Sequence, residues 1–376
     1  MAFPWNRSDS SPQMLPEERR RRSRNRRNRQ EQAVGENTKL TQERKHQRLV
    51  WAIGTALIMV VAGVVAAGYY NQFYHPPRVW AGNVRDVKFT MGDLVERIRV
   101  LQGLTGRVDL SVIPFEYLQN QLIAEILRQS SPGLGIDITD EDLDAALRSQ
   151  FLPQAAAGEQ VASGQLEQEF RQNYSAFLTR TSLSDAEYRI ILEERIAALQ
   201  LRFILAASIE DTAEQVEVEW IHLEIGGNVL PGEVRDRLEI EEFGQVAAEV
   251  GIRDGFADAS GYVGWVPREA FPGLDAILFG DEENGVEPLA VGEISRIVST
   301  LDGPYIVRKL SPAEDREITD KMRAKLLSQA TRQWGLDQLT KGAEQGWVKM
   351  NFNSRWYAWV AGQVSISAPR TPQGPR

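Results

Sequence analysis

The sequence of 376 residues contains no cysteine and only three histidines, His46, His75 and His222. The lack of cysteine excludes disulfide scaffolds, zinc–thiolate sites, iron–sulfur clusters and catalytic cysteines. With so few histidines, a histidine-rich metal centre is excluded as well. The chain also lacks the two glycine patterns that bind nucleotide phosphates, Gly-x-x-x-x-Gly-Lys and Gly-x-Gly-x-x-Gly. We therefore expect no metal ion and no cofactor.

Charge is distributed unevenly along the chain. Residues 1–48 carry a formal charge of +7, whereas the remainder carries −16. The basic segment has few aliphatic residues and cannot bury a core, so a disordered tail is predicted. An arginine run can bind nucleic acid through its phosphates. Beside an apolar segment, however, it is better explained by membrane topology and contact with anionic lipid, and no nucleic-acid partner is predicted.

Residues 49–70 have no charged side chain and form the longest apolar run of the sequence. As a helix this run spans a hydrocarbon layer of roughly 30 Å. A cleaved signal peptide is the alternative, but the run exceeds the usual apolar region of about 7–15 residues. Arg44, Lys45 and Arg48 precede it, so the positive-inside rule places residues 1–48 in the cytoplasm. We expect a single-pass membrane protein whose later domains are extracytoplasmic.

The remaining chain divides by its pattern of apolar residues. Residues 76–212 show helical spacing, whereas residues 213–312 show alternating segments and glycine turns, which are typical of a small α+β unit. A long helix and an aromatic segment follow in residues 313–365, and we expect them to pack back on the helical domain. Residues 366–376 are rich in Pro and Gly, so a disordered tail is predicted. The α+β unit would then be an insertion in the helical domain.

Two helix starts can be identified from single residues. Thr139 and Ser184 each precede an apolar helical pattern, and an acidic residue follows three positions later, Asp142 and Glu187 respectively. A hydroxyl and a carboxylate at this spacing satisfy each other's backbone N–H groups at a helix N-terminus. The spacing predicts helices that begin directly after Thr139 and Ser184.

Four segments of the α+β unit form a recognisable series. They are Trp220-Ile-His-Leu-Glu-Ile225, Gly261-Tyr-Val-Gly-Trp265, Phe271-Pro-Gly-Leu-Asp-Ala-Ile-Leu-Phe279 and the stretch from Val291 to Val307 that contains Asp302-Gly-Pro-Tyr305. Together with Gly135-Ile-Asp-Ile-Thr139 and Leu183-Ser-Asp-Ala-Glu-Tyr188 in the helical part, the layout resembles the SurA/PrsA/PpiD family of extracytoplasmic folding factors. The resemblance covers roughly residues 79–360. It implies an α+β fold in which a SurA-N-like helical chaperone domain carries an inserted parvulin-type peptidyl-prolyl isomerase domain, a four-stranded antiparallel sheet flanked by helices.

The resemblance also implies a set of site residues. His222 corresponds to the first of two parvulin histidines, the second falls on Tyr305, and the family's Cys or Asp falls on Asp254. The proline pocket corresponds to Ala270, Leu274 and Phe279, of which the first two are smaller than the family's side chains. We expect the Tyr305 hydroxyl to form a polar pair with His222, and Asp254 to polarise the region around the substrate carbonyl.

Isomerisation of an X-Pro bond requires no covalent bond to the substrate, only stabilisation of the twisted amide against a barrier of about 18–20 kcal/mol. A site that departs from the family pattern can still meet this requirement in part, so the sequence leaves three functions open. The first is a membrane-anchored prolyl isomerase that acts on unfolded exported polypeptides. The second is a holdase chaperone of the same build with an inactive parvulin-like unit. The third is a structural subunit with one fixed protein partner in a larger membrane assembly.

Overall fold

The computed structural model describes residues 51–105, 109–110, 113–152, 163–181 and 183–367. The predictions for residues 1–48 and for nearly all of the C-terminal tail lie outside these residues. The described chain forms two units. The first ends at Arg78 and the second begins at Val79. The first contains helix α1, Trp51–Arg78, whose most apolar 18 residues have a mean hydropathy of 2.1 and include no buried residue. By length and composition this helix can cross a membrane.

The second unit begins with a strand pair and five helices. Their bounds are β1 Trp80–Val84, β2 Val87–Thr90, α2 Met91–Thr105, α3 Ile113–Leu134, α4 Asp140–Phe151, α5 Ser163–Thr181 and α6 Asp185–Ala207. Both predicted helix starts are confirmed. The side chains of Thr139 and Ser184 accept hydrogen bonds from the backbone N–H of Asp142 and Glu187, whose carboxylates accept from the cap residues in return. These boundaries follow from local hydrogen bonding.

An α+β segment follows the fifth of these helices. Its elements are β3 Thr212–His222, α7 Pro231–Arg237, α8 Phe243–Val250, β4 Tyr262–Pro267, α9 Pro272–Phe279, β5 Val298–Thr300 and β6 Gly303–Lys309. The strands form an antiparallel sheet in the order β4-β3-β6-β5. One face packs against α9 through Trp220 and Leu274, and the other packs against α8 through Ile221 and Phe243. The predicted α+β class is confirmed, and the four predicted antiparallel strands are present in a sheet that has five strands in all.

The sheet also contains a short strand that the sequence did not predict. Strand β7, Glu314–Glu317, pairs with Thr212–Gln215 at the start of β3. It lies along the same edge of β3 as β6, after a break that contains Pro312, a residue without a backbone N–H for the ladder. All four of its residues are exposed, so it has no alternating apolar pattern by which a sequence would identify it.

The chain after this segment lies against the first helices. Helix α10, Asp320–Glu344, strand β8, Val348–Met350, and helix α11, Ser354–Ser367, complete the second unit. Strand β8 pairs with β1, and α11 buries Trp356, Val360 and Val364 in one core with residues of α2 and α3. The N–H of Ile318 donates to the carbonyl of Asp211 at 2.9 Å. The two ends of the α+β segment therefore meet.

Candidate functional site

The register between β3 and β6 places His222 directly opposite Tyr305. The two rings stack face to face, with their centroids 4.1 Å apart and their planes 11° apart. Residues two apart on a strand point to the same side, so Trp220 shares this face with His222. Its ring meets Tyr305 edge-on at a centroid distance of 5.5 Å. The two residues expected to form a polar pair therefore form an aromatic stack instead.

The hairpin between β5 and β6 determines the orientation of the His222 ring. The Nε2 atom lies 2.9 Å from the carbonyl oxygen of Asp302. A carbonyl can only accept, so we assign the ring proton to Nε2. Gly303 makes this approach possible: its φ is 135°, and a Cβ there would lie 2.6 Å from the Leu223 carbonyl oxygen and 3.0 Å from Nε2. The Nε2 proton is therefore already engaged with backbone.

Asp254 lies in the loop after α8, and its carboxylate is held by three hydrogen bonds. Oδ1 accepts from the backbone N–H groups of Phe256 and Ala257 at 2.8 and 3.1 Å. Oδ2 accepts from the indole Nε1–H of Trp220 at 3.0 Å. His222 Nδ1 is 3.4 Å from Oδ2, but it has no hydrogen-bond partner among the described residues. The structure thus brings Asp254 beside His222, while the carboxylate is bound to Trp220.

Tyr305 is buried, which determines its protonation. Burial raises the pKa of the phenol, and the neighbouring carboxylates of Asp254 and Asp302 raise this pKa further. Removing a phenolate from water next to two anions is unfavourable. At neutral pH Tyr305 therefore carries its proton and is not a base.

The three residues expected to line a proline pocket lie in the core of the α+β segment. Ala270 and Leu274 are 0% and 1% exposed, and Phe279 is half-buried beneath the Arg268 guanidinium, 4.4 Å from its ring centroid. The space above the sheet is occupied by aromatic rings. Phe271 meets Trp220 edge-on at 4.9 Å and Phe256 at 5.0 Å. Side chains of the protein itself therefore fill the region where a prolyl ring was expected.

Helix α10 adds a further layer over these rings. Met322 and Leu326 belong to the same apolar cluster as Trp220 and Leu274. Lys325 Nζ lies 4.5 Å from the Phe271 ring centroid, and burial lowers the pKa of this amine, although the carboxylates of Asp302 and Asp254 oppose the shift. Sequence reasoning missed Trp220 and this layer. The alternation of side chains along β3 could have shown that Trp220 lies on the same face of the sheet as His222. No pattern within a few residues indicates that Lys325 lies near Asp254.

Comparisons with known proteins were made with both the sequence and the structure. No family model matches the sequence, and no curated protein matches it. Three similar solved structures are the peptidylprolyl isomerase PrsA of Bacillus anthracis, the foldase protein PrsA of Streptococcus pneumoniae and the parvulin of Nitrosopumilus maritimus. Their identities to this chain are 13%, 12% and 20%, with TM-scores of 0.38, 0.29 and 0.21. The matches cover 63%, 76% and 26% of this chain, and 100%, 93% and 98% of the respective structures.

Proposed function

We propose that this chain is a membrane-anchored extracytoplasmic folding factor of the SurA/PrsA/PpiD type, which binds unfolded exported polypeptides and whose parvulin-like unit is inactive as a prolyl isomerase. The order of the sequence motifs and the α+β segment set between helices support the family assignment. Burial of the residues at the expected active site supports binding and not catalysis.

One observation carries this proposal: five of the six expected site residues are almost inaccessible, and only Phe279 is partly exposed. His222 and Tyr305 are 7% and 4% exposed, the side chain of Asp254 is 9% exposed, and Ala270 and Leu274 are fully buried. An isomerase must hold the prolyl ring in an apolar pocket and contact the twisted amide more strongly than the planar one. Side chains that a substrate cannot touch supply no such differential binding. The aromatic rings at this site instead contribute to the core of the segment.

A second candidate function is prolyl isomerisation after a movement of α10. It is favoured by the assembly of His222, Tyr305 and Asp254 on one face of the sheet, with Asp254 Oδ2 3.4 Å from His222 Nδ1. A tenfold acceleration needs only about 1.4 kcal/mol of transition-state stabilisation. This function requires Trp220 to release Asp254 and Met322 to leave the cluster.

The proposed anchor is α1, with residues 1–48 cytoplasmic and the second unit outside. Its apolar length and the preceding Arg44, Lys45 and Arg48 support this orientation. Because the chain has no cysteine, a single introduced one is unique. We expect Glu283→Cys to react with a membrane-impermeant maleimide on intact cells and Ser8→Cys to react only after lysis. The reverse pattern would contradict the orientation.

The function is tested with the full chain in nanodiscs of zwitterionic lipid. We expect the chain to suppress aggregation of a denatured client at stoichiometric amounts, and to leave a protease-coupled prolyl peptide assay at the uncatalysed rate. An active parvulin serves as the positive control for the second assay. Isomerisation that His222→Ala abolishes would establish the second candidate function instead. Failure to suppress aggregation, with stable co-purification of one stoichiometric partner, would support a structural subunit.

A further inference from the structure

A groove lies where α9, α10 and the junction between α6 and β3 come together, on a part of the second unit away from His222. Its volume is about 1010 Å³, and its walls are formed by some of the side chains in stretches 208–214, 268–275 and 326–337, together with Asp315 and Ile318. Ligand pockets typically enclose about 300–1,000 Å³. Of the motifs found in the sequence, only the segment from Phe271 to Phe279 contributes to the groove, through Pro272 and Asp275.

The groove is strongly acidic. Its walls carry six carboxylates, which belong to Glu210, Glu214, Glu269, Asp275, Asp315 and Asp337, and a single basic side chain, Arg268. Arg268 is engaged within the protein, since its Nη2 lies 2.6 Å from Glu214 Oε2. Among the described residues, none of the other five carboxylates forms an ion pair. The groove therefore presents uncompensated negative charge, which attracts cations.

The groove is also partly apolar. Ile209, Pro272, Leu326 and Trp334 line it between the carboxylates. Trp334 and Leu326 are only partly buried, although each also contacts an apolar cluster. An occupant that carries both positive charge and aliphatic or aromatic side chains would satisfy both kinds of wall.

Asp275 provides an independent observation that points to a cationic ligand. Its Oδ2 accepts from the backbone N–H of Glu269 at 3.0 Å, whereas its buried Oδ1 has no hydrogen-bond partner among the described residues. Burial raises the pKa of this carboxyl to about 6, although the hydrogen bond from the Glu269 backbone N–H and the charge of Arg268 oppose the increase. A buried acceptor without a donor is unfavourable, and a rotation of the half-buried Asp275 side chain towards the groove would let an ammonium or guanidinium group supply the donor.

We infer that this groove binds an extended segment of unfolded polypeptide in which lysine or arginine side chains lie among aliphatic or aromatic ones, without a requirement for proline. The inference rests on the proposed function and names its binding site and substrate class. Charge complementarity selects the cationic side chains, and the apolar wall selects their neighbours. Positively charged clients are therefore bound more tightly than acidic ones.

The charge selection is tested by fluorescence anisotropy on the full chain in zwitterionic nanodiscs, with empty nanodiscs as a blank. One probe is a proline-free peptide in which lysines alternate with leucine and serine, and the other carries glutamate in place of each lysine. We expect the lysine peptide to bind at least about tenfold more tightly. Neutralising Glu210→Gln together with Asp337→Asn should weaken its binding about threefold to tenfold. The matched pair Glu282→Gln and Glu283→Gln, exposed and outside the groove, should change it less than about twofold.

The position of binding is tested by crosslinking. Gln333 is exposed on the groove wall, so Gln333→Cys should crosslink to the lysine peptide fitted with a thiol-reactive group. Glu283→Cys serves as the control away from the groove. Equal crosslinking at both positions, or equal affinity of the two peptides, would overturn the assignment of this groove. If aggregation suppression persists in either case, the proposed function stands while the groove assignment fails, whereas a wild-type chain inactive in every assay refutes both.

Discussion

The hydrogen bond between Trp220 and Asp254 can be tested with the substitution Trp220→Phe. The change removes the indole donor 3.0 Å from Asp254 Oδ2 while it keeps an aromatic ring at a position that is 1% exposed. A hydrogen bond to a charged acceptor contributes about 1.5–3 kcal/mol, and the smaller ring adds a cavity cost of about 1 kcal/mol. We therefore expect strand β3 to lose about 3 kcal/mol of local stability.

Native-state hydrogen exchange of the full chain, read on peptides from β3, measures this loss. A change of about 3 kcal/mol lowers amide protection roughly a hundredfold. The matched control is Trp265→Phe on the neighbouring strand, where the ring contacts the Arg316 guanidinium at 4.2 Å and donates no hydrogen bond within the described residues. Phenylalanine keeps an aromatic face there, so the weakened contact costs at most about 0.5–1 kcal/mol.

A double-mutant cycle with Asp254→Ala, which removes the acceptor, separates the hydrogen bond from the change in ring size. The expected coupling energy is about 1.5 kcal/mol or more, because the two side chains are in direct contact. A coupling near zero, or equal effects of Trp220→Phe and Trp265→Phe, would refute the conclusion that this hydrogen bond stabilises strand β3.

Three further predictions concern stability. The pKa of Asp275 is about 6 in the folded chain against an ordinary 3.8, so its contribution to stability is full at low pH and is lost as the pH rises through about 6. Asp275→Asn should therefore stabilise the chain by about 1 kcal/mol at pH 8, a figure discounted for the partial exposure of Asp275, and should raise the Tm accordingly. At pH 4 the Tm should not change, and a gain at both pH values would contradict the raised pKa. A Cβ at Gly342 would overlap Val348 Cγ2, whereas a Cβ at Gly362 would have no atom within 4 Å. Thermal unfolding should therefore show that Gly342→Ala lowers the stability by about 1–3 kcal/mol, while Gly362→Ala is neutral or stabilising. Replacing residues 212–317 with a short glycine linker should leave a cooperatively melting helical domain by circular dichroism, and a non-cooperative melt would count against the insertion.

Much of the fold follows from short-range patterns. The starts of α4 and α6 were predictable because a hydroxyl at Thr139 or Ser184 and a carboxylate three residues later interact within one turn. The facing positions of His222 and Tyr305 were expected from the resemblance of their two strands to parvulin motifs. Strand β7 was not predictable, since its four residues are charged and exposed. Its pairing depends on β3, about 100 residues earlier in the chain.

For the expected site residues, the sequence could indicate that three of them lie close together, but not which contacts they make. The sequence named His222, Asp254 and Tyr305, and the structure places them together on one face. It did not indicate that Trp220 would bind Asp254, or that the rings of His222 and Tyr305 would stack. A side chain's partner across a sheet depends on distances and rotamers that no linear spacing records.

The sequence by itself determined the apolar run of α1, the helix caps and the strands that carry the histidine and tyrosine, because each depends on neighbours within a few residues. Only the tertiary structure decided whether the site is open. Met322 and Lys325 lie on α10, which follows the whole α+β segment, and both contact the apolar side chains above the sheet. The hydrogen bond from the Ile318 N–H to the Asp211 carbonyl brings the start of α10 back beside the start of β3. Packing between elements distant in sequence therefore converts an expected cleft into a buried core.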